Sequence, residues 1–210
     1  DLDQAAHSGQ PMLQWSGPEA LSLAQAYAVQ SRLVALRCAR GDAVVGLKQA
    51  FTNRAMMQRM GLAEPVTGVL CRGMQVADGG TLDMTRLQLP RVEVKVMFRL
   101  KQVPAPDTTV EQARAMVDAI AVAIEIVDSR YRDFRFNVHD AVADNASACA
   151  FVIGPWMPPA MEVGARAVTL AVNGIVVASG TTSAILDHPL QALCNVARLA
   201  ARDDRPLAAG

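Results

Sequence analysis

The sequence predicts an α+β protein with an antiparallel component. Three observations carry that reading. Stretches with helical apolar spacing and recognisable caps occur at several points along the chain. The run 92–100 alternates like a strand, and a second strand-like run, Ile124-Glu125-Ile126-Val127, follows about thirty residues on. Two apolar runs flank Asn173-Gly174, the strongest short-range hairpin signal.

Residues 1–16 read as polar and irregular. Pro18 and Glu19 open a helix to about Arg40, because proline suits the first helical turn. Leu21, Ala24, Ala28, Leu33 and Leu36 supply its apolar stripe, and Gly41 ends it. Residues 43–47 form a short strand that leads to Lys48. Asn53 caps a short helix through Met60, with Gly61 as its stop. Met56, Met57 and Met60 read as core. Turn signals at Glu64-Pro65 and Asp78-Gly79-Gly80 bracket the segment 68–74. After strand 92–100, Thr108 and Glu111 form a capping-box pattern. It opens a helix to about Val122, which runs into the strand bearing Glu125. A short helix at 138–147, a buried strand at 149–153, the hairpin 165–179 and a helix at 189–201 complete the chain. Residues 1–60 thus read as an N-terminal helical region and 61–210 as a β-rich core, within one compact unit.

Composition limits the function classes. The 210 residues are 51% apolar and 19% charged, enough for a substantial core, and the formal net charge is zero. A neutral chain argues against nucleic acid or a membrane surface as a partner held by bulk electrostatics. No apolar run approaches the roughly 20 residues of a membrane span, so a cytoplasmic protein is expected. Cys38, Cys71, Cys149 and Cys194 are scattered without metal-ligand spacing and read as reduced thiols.

Carboxylates on strands that otherwise read as core are costly unless paired or bound to a cation. Glu93 and Glu125 are two of these. They suit Mg²⁺ or Mn²⁺, which take oxygen ligands. Alternatively Lys95, two residues from Glu93 on the same strand face, neutralises them as an ion pair. Lys48 is either a desolvated base, or cation for a substrate carboxylate, or a solvated surface lysine. The arginines of Asp128-Ser129-Arg130-Tyr131-Arg132-Asp133 could grip a dianion bidentately, or could belong to a salt-bridged loop. Asp144-Asn145-Ala146-Ser147 either caps a helix or lines a pocket. His139 and His188 read as structural hydrogen-bonders.

In order, Gly46-Leu47-Lys48, Glu64-Pro65-Val66-Thr67-Gly68, Pro90-Arg91-Val92-Glu93, Glu125-Ile126-Val127-Asp128-Ser129-Arg130, Val142-Ala143-Asp144-Asn145-Ala146-Ser147, and Asn173-Gly174 leading to Ser179-Gly180 span nearly the whole chain. This series resembles the hydratase/decarboxylase branch of the fumarylacetoacetate hydrolase-like superfamily. The resemblance implies a mixed β-sheet roll or barrel core with peripheral helices, with further core strands beyond the segment that ends at Gly210. It implies a lyase acting on a small 2-oxo acid in meta-cleavage degradation of aromatic compounds. Such proteins are commonly homo-oligomers and sometimes pair with a related hydratase. The run Ser129-Arg130-Tyr131-Arg132-Asp133-Phe134-Arg135-Phe136 looks more like the decarboxylases than the hydratases. So does Val66, where hydratases commonly carry an aspartate after the proline. By the same resemblance Lys48 and Lys95 are catalytic positions, Met60, Val66, Arg130, Asn145 and Ser147 contact substrate, and Glu93 and Glu125 hold Mg²⁺ or Mn²⁺.

The sequence departs from that pattern at Lys95, where the family places the middle carboxylate of a Glu-x-Glu pair. A protonated ammonium has no lone pair to offer a metal. Two unit charges 4 Å apart at an effective dielectric of 20 interact by roughly 4 kcal/mol, and a divalent ion doubles the repulsion. Either two glutamates and water still hold the ion, or Lys95 takes its place, or catalysis has been lost. Arg72 stands where relatives often carry an acid, and Asp187 where a glycine is usual.

Overall fold

The computed structural model describes residues 1–15, 20–205 and 207–209. Along the chain run α1 (Leu2–Ser8), α2 (Leu23–Ala39), β1 (Val44–Ala50), α3 (Arg54–Arg59), β2 (Val66–Cys71), β3 (Gln75–Val76), β4 (Arg91–Leu100), α4 (Val110–Met116) and β5 (Val117–Val127). Then come α5 (Val138–Ala143), β6 (Ala148–Ile153), β7 (Ala167–Val172), β8 (Ile175–Thr181) and α6 (Pro189–Arg202). β1 pairs with β2, and β7 with β8, both antiparallel. An open four-stranded sheet has the order β3-β6-β5-β4, with β3 parallel to β6. The fold is therefore α+β with mixed sheets, as expected.

The chain divides into two compact units: Asp1–Ala50, Val66–Glu93 and Ile124–Val152 form the first, and Phe51–Pro65, Val94–Ala123 and Ile153–Gly210 the second. The units interleave in sequence. Strands β4 and β5 each contribute residues to both.

In the first unit, the expected irregular N-terminus holds a helix instead. Leu2 and Ala5, three apart on α1, are buried together, and Gly9 closes the helix in the left-handed region. Helix α2 begins later than the proline signal indicated. A reciprocal capping box joins Ser22 and Gln25; Pro18 and Glu19 lie outside the described residues. Its buried Gln30 donates to Thr67 O (3.0 Å) and Val142 O (2.8 Å), tying α2 to β2 and α5. Strand β1 runs on through Lys48 to Ala50, in register with β2 from Lys48↔Gly68 to Ala50↔Val66.

In the second unit, Leu100, Ala113, Val117, Ile120, Leu190 and Leu193 pack in one apolar cluster. Helix α6 buries one face there, with Pro189 in its first turn and His188 capping it by accepting from Leu190 N. The helix expected to reach Val122 stops at Met116, and its capping box is Thr109 with Gln112. The β-branched run from Val117 onward goes into the sheet instead, where both faces are largely covered. The hairpin forms as expected, with Asn173 and Gly174 both at positive φ. Of the three methionines read as core, only Met57 is buried. All four cysteines are free thiols. No helix among the described residues is long and apolar enough to cross a membrane.

Candidate active site

Lys48 is a strand residue with its side chain turned inward, not a surface lysine. Its side chain is 7% exposed and its ammonium is ion-paired with Glu125, itself 3% exposed. The same nitrogen donates to the Ala146 carbonyl at 2.7 Å. These three groups come from three elements: β1, β5 and the turn after α5. Two charges sealed from water repay their desolvation only when geometry and further hydrogen bonds satisfy them, and Ala146 supplies such a bond.

The turn is built for that contact. Asn145, Ala146 and Ser147 follow one another at φ 53°, 51° and 56°. Three consecutive left-handed residues without glycine are strained and persist only where their surroundings hold them. Asn145 pins the turn to β2: its Oδ1 accepts from Val69 N (2.7 Å) and its Nδ2 donates to Val69 O (2.8 Å). Ser147 N donates to Asp144 O (2.9 Å), and Ser147 O accepts from Asp128 N (3.0 Å). Gly68 makes room: a Cβ there would sit 2.8 Å from Asn145 O and 3.1 Å from Lys48 Cε.

Arg130 lies beside this turn with its guanidinium turned inward. Nε pairs with the Asp144 carboxylate, Nη1 donates to Asp128 O (2.7 Å) and Ala148 O (3.2 Å), and Nη2 donates to Asp144 O. Asp144 is fully buried and also accepts from Arg130 N (3.1 Å). Burial pushes its carboxyl up to about 6, and the Arg130 charge only partly opposes that. In this structure the Arg130 guanidinium is engaged by the chain's own carbonyls and by Asp144.

Among the residues singled out from sequence, Lys48, Glu125, Asn145 and Ser147 are brought together, with Arg130 behind them. Val66 is buried at the start of β2. Met60 is the half-buried C-cap of α3. Glu93 is exposed and Lys95 half-buried, two residues apart on β4 and so on one strand face. Sequence reasoning did not single out Gly68 as a cradle or the Ala146 carbonyl as a lysine acceptor. A backbone carbonyl carries no sequence signature; the polar run 144–147 was its one signal.

The residues present do not complete a hard-metal site. Among the described residues no three Asp, Glu, His or Cys side chains are grouped to hold a metal. One of the two expected glutamates is committed to the Lys48 ammonium, and the position between them in the pattern is Lys95. An ammonium is no ligand, and it repels a divalent cation.

The fumarylacetoacetate (FAA) hydrolase C-terminal family model matches residues 54–210. Over 209 residues the chain is 41% identical to a 4-oxalocrotonate decarboxylase from Pseudomonas sp., covering 100% of this chain and 82% of that protein. It is 34% identical to a 2-keto-4-pentenoate hydratase from Paraburkholderia xenovorans (strain LB400), covering 100% of this chain and 79% of the relative. Among solved structures it superposes on 4-oxalocrotonate decarboxylase from Pseudomonas putida G7, complexed with magnesium and adipate. That match has a TM-score of 0.91 and 30% identity, and covers 100% of this chain and 84% of the other. With a family match over most of its length and relatives well above 30% identity, the chain belongs to the fumarylacetoacetate hydrolase family.

Proposed function

We propose that this protein is a carbon–carbon lyase that decarboxylates a 2-oxo-3-enedioate such as 4-oxalocrotonate (2-oxo-3-hexenedioate). The observation that carries the reading is the sealed Lys48 ammonium, held by Glu125 and by Ala146 O. Similarity to named decarboxylases along the whole chain supports it.

In this reading the 2-oxo oxygen lies against Lys48. The bond between C5 and the distal carboxylate breaks and CO₂ leaves. Its electron pair becomes a C4–C5 double bond, the C3–C4 pair shifts to C2–C3, and the carbonyl pair moves onto the 2-oxygen. The Lys48 ammonium stands where that negative charge develops and gives a proton to the dienolate oxygen, yielding the 2-hydroxydienoate. Solvent then reprotonates the amine. Glu125 and Ala146 orient the ammonium before the reaction. Asn145 and Ser147 shape the wall of the site. Val66, buried and apolar, offers nothing to activate water, which favours decarboxylation over hydration. No step passes through a divalent ion, because the donors do not make a site for one.

The test is direct. Purified protein is given 2-oxo-3-hexenedioate, and loss of its ultraviolet absorbance is followed together with CO₂ release. Turnover that survives a chelator is expected, with a 2-hydroxydienoate as product. No turnover with or without Mg²⁺ would sink the reading. Lys95→Glu completes the carboxylate pattern of β4, and magnesium binding by calorimetry should then appear where the parent chain shows none. Homo-oligomeric assembly belongs to the same proposal, and sedimentation of the purified chain reads it.

A further inference from the structure

The Arg130 guanidinium reaches both ends of one strained turn. We propose that Arg130 is a positioning residue: it locks the left-handed 145–147 turn so that the Ala146 carbonyl holds the Lys48 ammonium in place. The catalytic consequence rests on the lyase reading above; the positioning itself does not.

Three independent observations converge on it. First, the guanidinium binds Asp144 O just before the turn and Ala148 O just after it, and a third carbonyl, Asp128 O, at the end of β5. A planar fork that spans a turn in this way fixes its width, and a lysine in its place could not. Second, the turn needs fixing. Residues 145, 146 and 147 each hold a positive φ that non-glycine residues avoid, so the segment would relax if its ends were released. Third, relaxation cannot stay local. Gly68 has space for a hydrogen and no more between Asn145 O and the Lys48 stem, and Lys48 Nζ is bonded to the middle of the turn. A shift of Ala146 O therefore moves or frees the ammonium.

Asp144 is the anchor on the other side. Its carboxylate takes Arg130 Nε and Arg130 N, and Ser129 Oγ donates to it at 3.4 Å. Arg130 touches no reacting atom in this account; its effect passes through Asp144, Ala146 and Lys48.

The experiment compares the whole chain with Arg130→Met and Asp144→Asn. Four quantities are measured: kcat and KM on 2-oxo-3-hexenedioate, the modification rate of Lys48 by an amine-reactive reagent read by peptide mass spectrometry, and the melting temperature. A displacement of about 1 Å in a catalytic group can cost on the order of 100-fold in rate. Arg130→Met should lower kcat by about that factor, leave KM within about threefold, and raise Lys48 modification several-fold. Asp144→Asn keeps an oxygen for Nε and should fall between the two. A variant with kcat intact, KM raised more than about tenfold and Lys48 modification unchanged would overturn the proposal and make Arg130 a substrate ligand. Unchanged kinetics and unchanged modification would also overturn it. If Arg130→Met does not fold, Asp144→Asn carries the same comparison. If the parent chain does not turn over this acid, the lyase reading fails, and the Lys48 modification ratio still decides the positioning.

Discussion

Two ion pairs of the first unit are sealed from water, whereas three that tie segments of the second together stand in it. Lys48–Glu125 and Arg130–Asp144 are almost wholly enclosed, with side-chain exposures of 7% and 3%, and 11% and 0%. Arg54–Asp187, Arg114–Glu162 and Arg202–Glu64 all stand in solvent. Solvent-screened pairs contribute little to stability, and losing one is cheap. A sealed pair is different. Removing one partner leaves a buried charge and costs about 3–5 kcal/mol, yet replacing both by apolar groups is often neutral or stabilising. Sealed pairs are thus a poor way to gain stability and a good way to fix a charge in one place. The difference teaches that the first unit spends stability on geometry around Lys48.

The largest effect should come from breaking that geometry at its centre. Lys48→Met is expected to reduce turnover by about 10²- to 10⁴-fold, the range for removing a positioned proton donor. It should also destabilise the chain by about 3–5 kcal/mol, because the buried Glu125 loses its Lys48 counter-charge. The double variant Lys48→Met, Glu125→Leu should recover most of the stability and none of the turnover. Urea unfolding of the three proteins checks this. A double variant as unstable as the single one would mean that the sealed pair stabilises the fold, and the contrast between the units would lose its explanation.

Gly68 tests the same region from the packing side. An added Cβ meets Asn145 O at 2.8 Å and Lys48 Cε at 3.1 Å, and backbone on one side cannot give way easily. Gly68→Ala should cost about 1–3 kcal/mol through overpacking and lower kcat as well. Gly180→Ala, in β8 with open space around it, should be neutral or stabilising by about 0.5 kcal/mol. Equal effects at the two glycines would show that Gly68 has no special relation to the turn.

How much of this was legible beforehand follows the range of each interaction. The Asn173-Gly174 hairpin and the Asn53 cap were readable because a few adjacent residues decide them. The end of α4 was not: β-branched residues from Val117 on have a weak local preference, and the sheet settles them. Lys48 and Glu125 were each singled out, but 77 residues separate them and nothing local announces their pairing. The resemblance identified the strand of Glu93 and the departure at Lys95, since both are side-chain patterns. It also singled out Arg130, but not its acceptors in the chain: these include the carbonyls of residues 128, 144 and 148, which any sequence would offer equally.

Acidification should separate stability from activity in the first unit. Burial holds the Asp144 carboxyl at about 6, well above its ordinary value of 3.8. Between those two pH values the folded protein binds a proton that the unfolded chain does not, so this group favours folding more as pH falls through 6. The difference is worth roughly 3 kcal/mol by pH 4. Burial also raises Asp140, which acts in the same direction. Acids held low by their partners, Asp3 and Asp42 among them, oppose this only below their ordinary range. Between pH 6.5 and 5 the melting temperature should therefore hold or rise. Turnover should fall with an apparent pKa near 6, as protonated Asp144 loosens its hold on Arg130, the guanidinium charge facing it. Tyr131 and Cys149 also sense Asp144, but both titrate above their ordinary ranges and stay neutral there. Asp144→Asn should remove the inflection. A melting temperature that falls in step with turnover would return the acid loss to ordinary unfolding.

The smallest effect is expected in the second unit, at Asp187. Here two local terms oppose each other. Its carboxylate pairs with Arg54 Nη2 at 2.6 Å, but both side chains are more than half exposed, so solvent screens the attraction. Its backbone sits at φ 68°, in the region that favours glycine, and the preceding Leu186 is left-handed too. Asp187→Gly loses a screened pair and gains an unstrained backbone, at the cost of a more flexible unfolded chain. These terms nearly cancel, and the melting temperature should move by no more than about 3 °C. Asp187→Val loses the pair and puts a β-branched side chain on a left-handed residue, so it should melt clearly lower than Asp187→Gly. That order follows if backbone conformation, and not charge, governs this corner. A large loss in the glycine variant would mean that an exposed pair here matters as much as a sealed one, and the division between the two units would not hold.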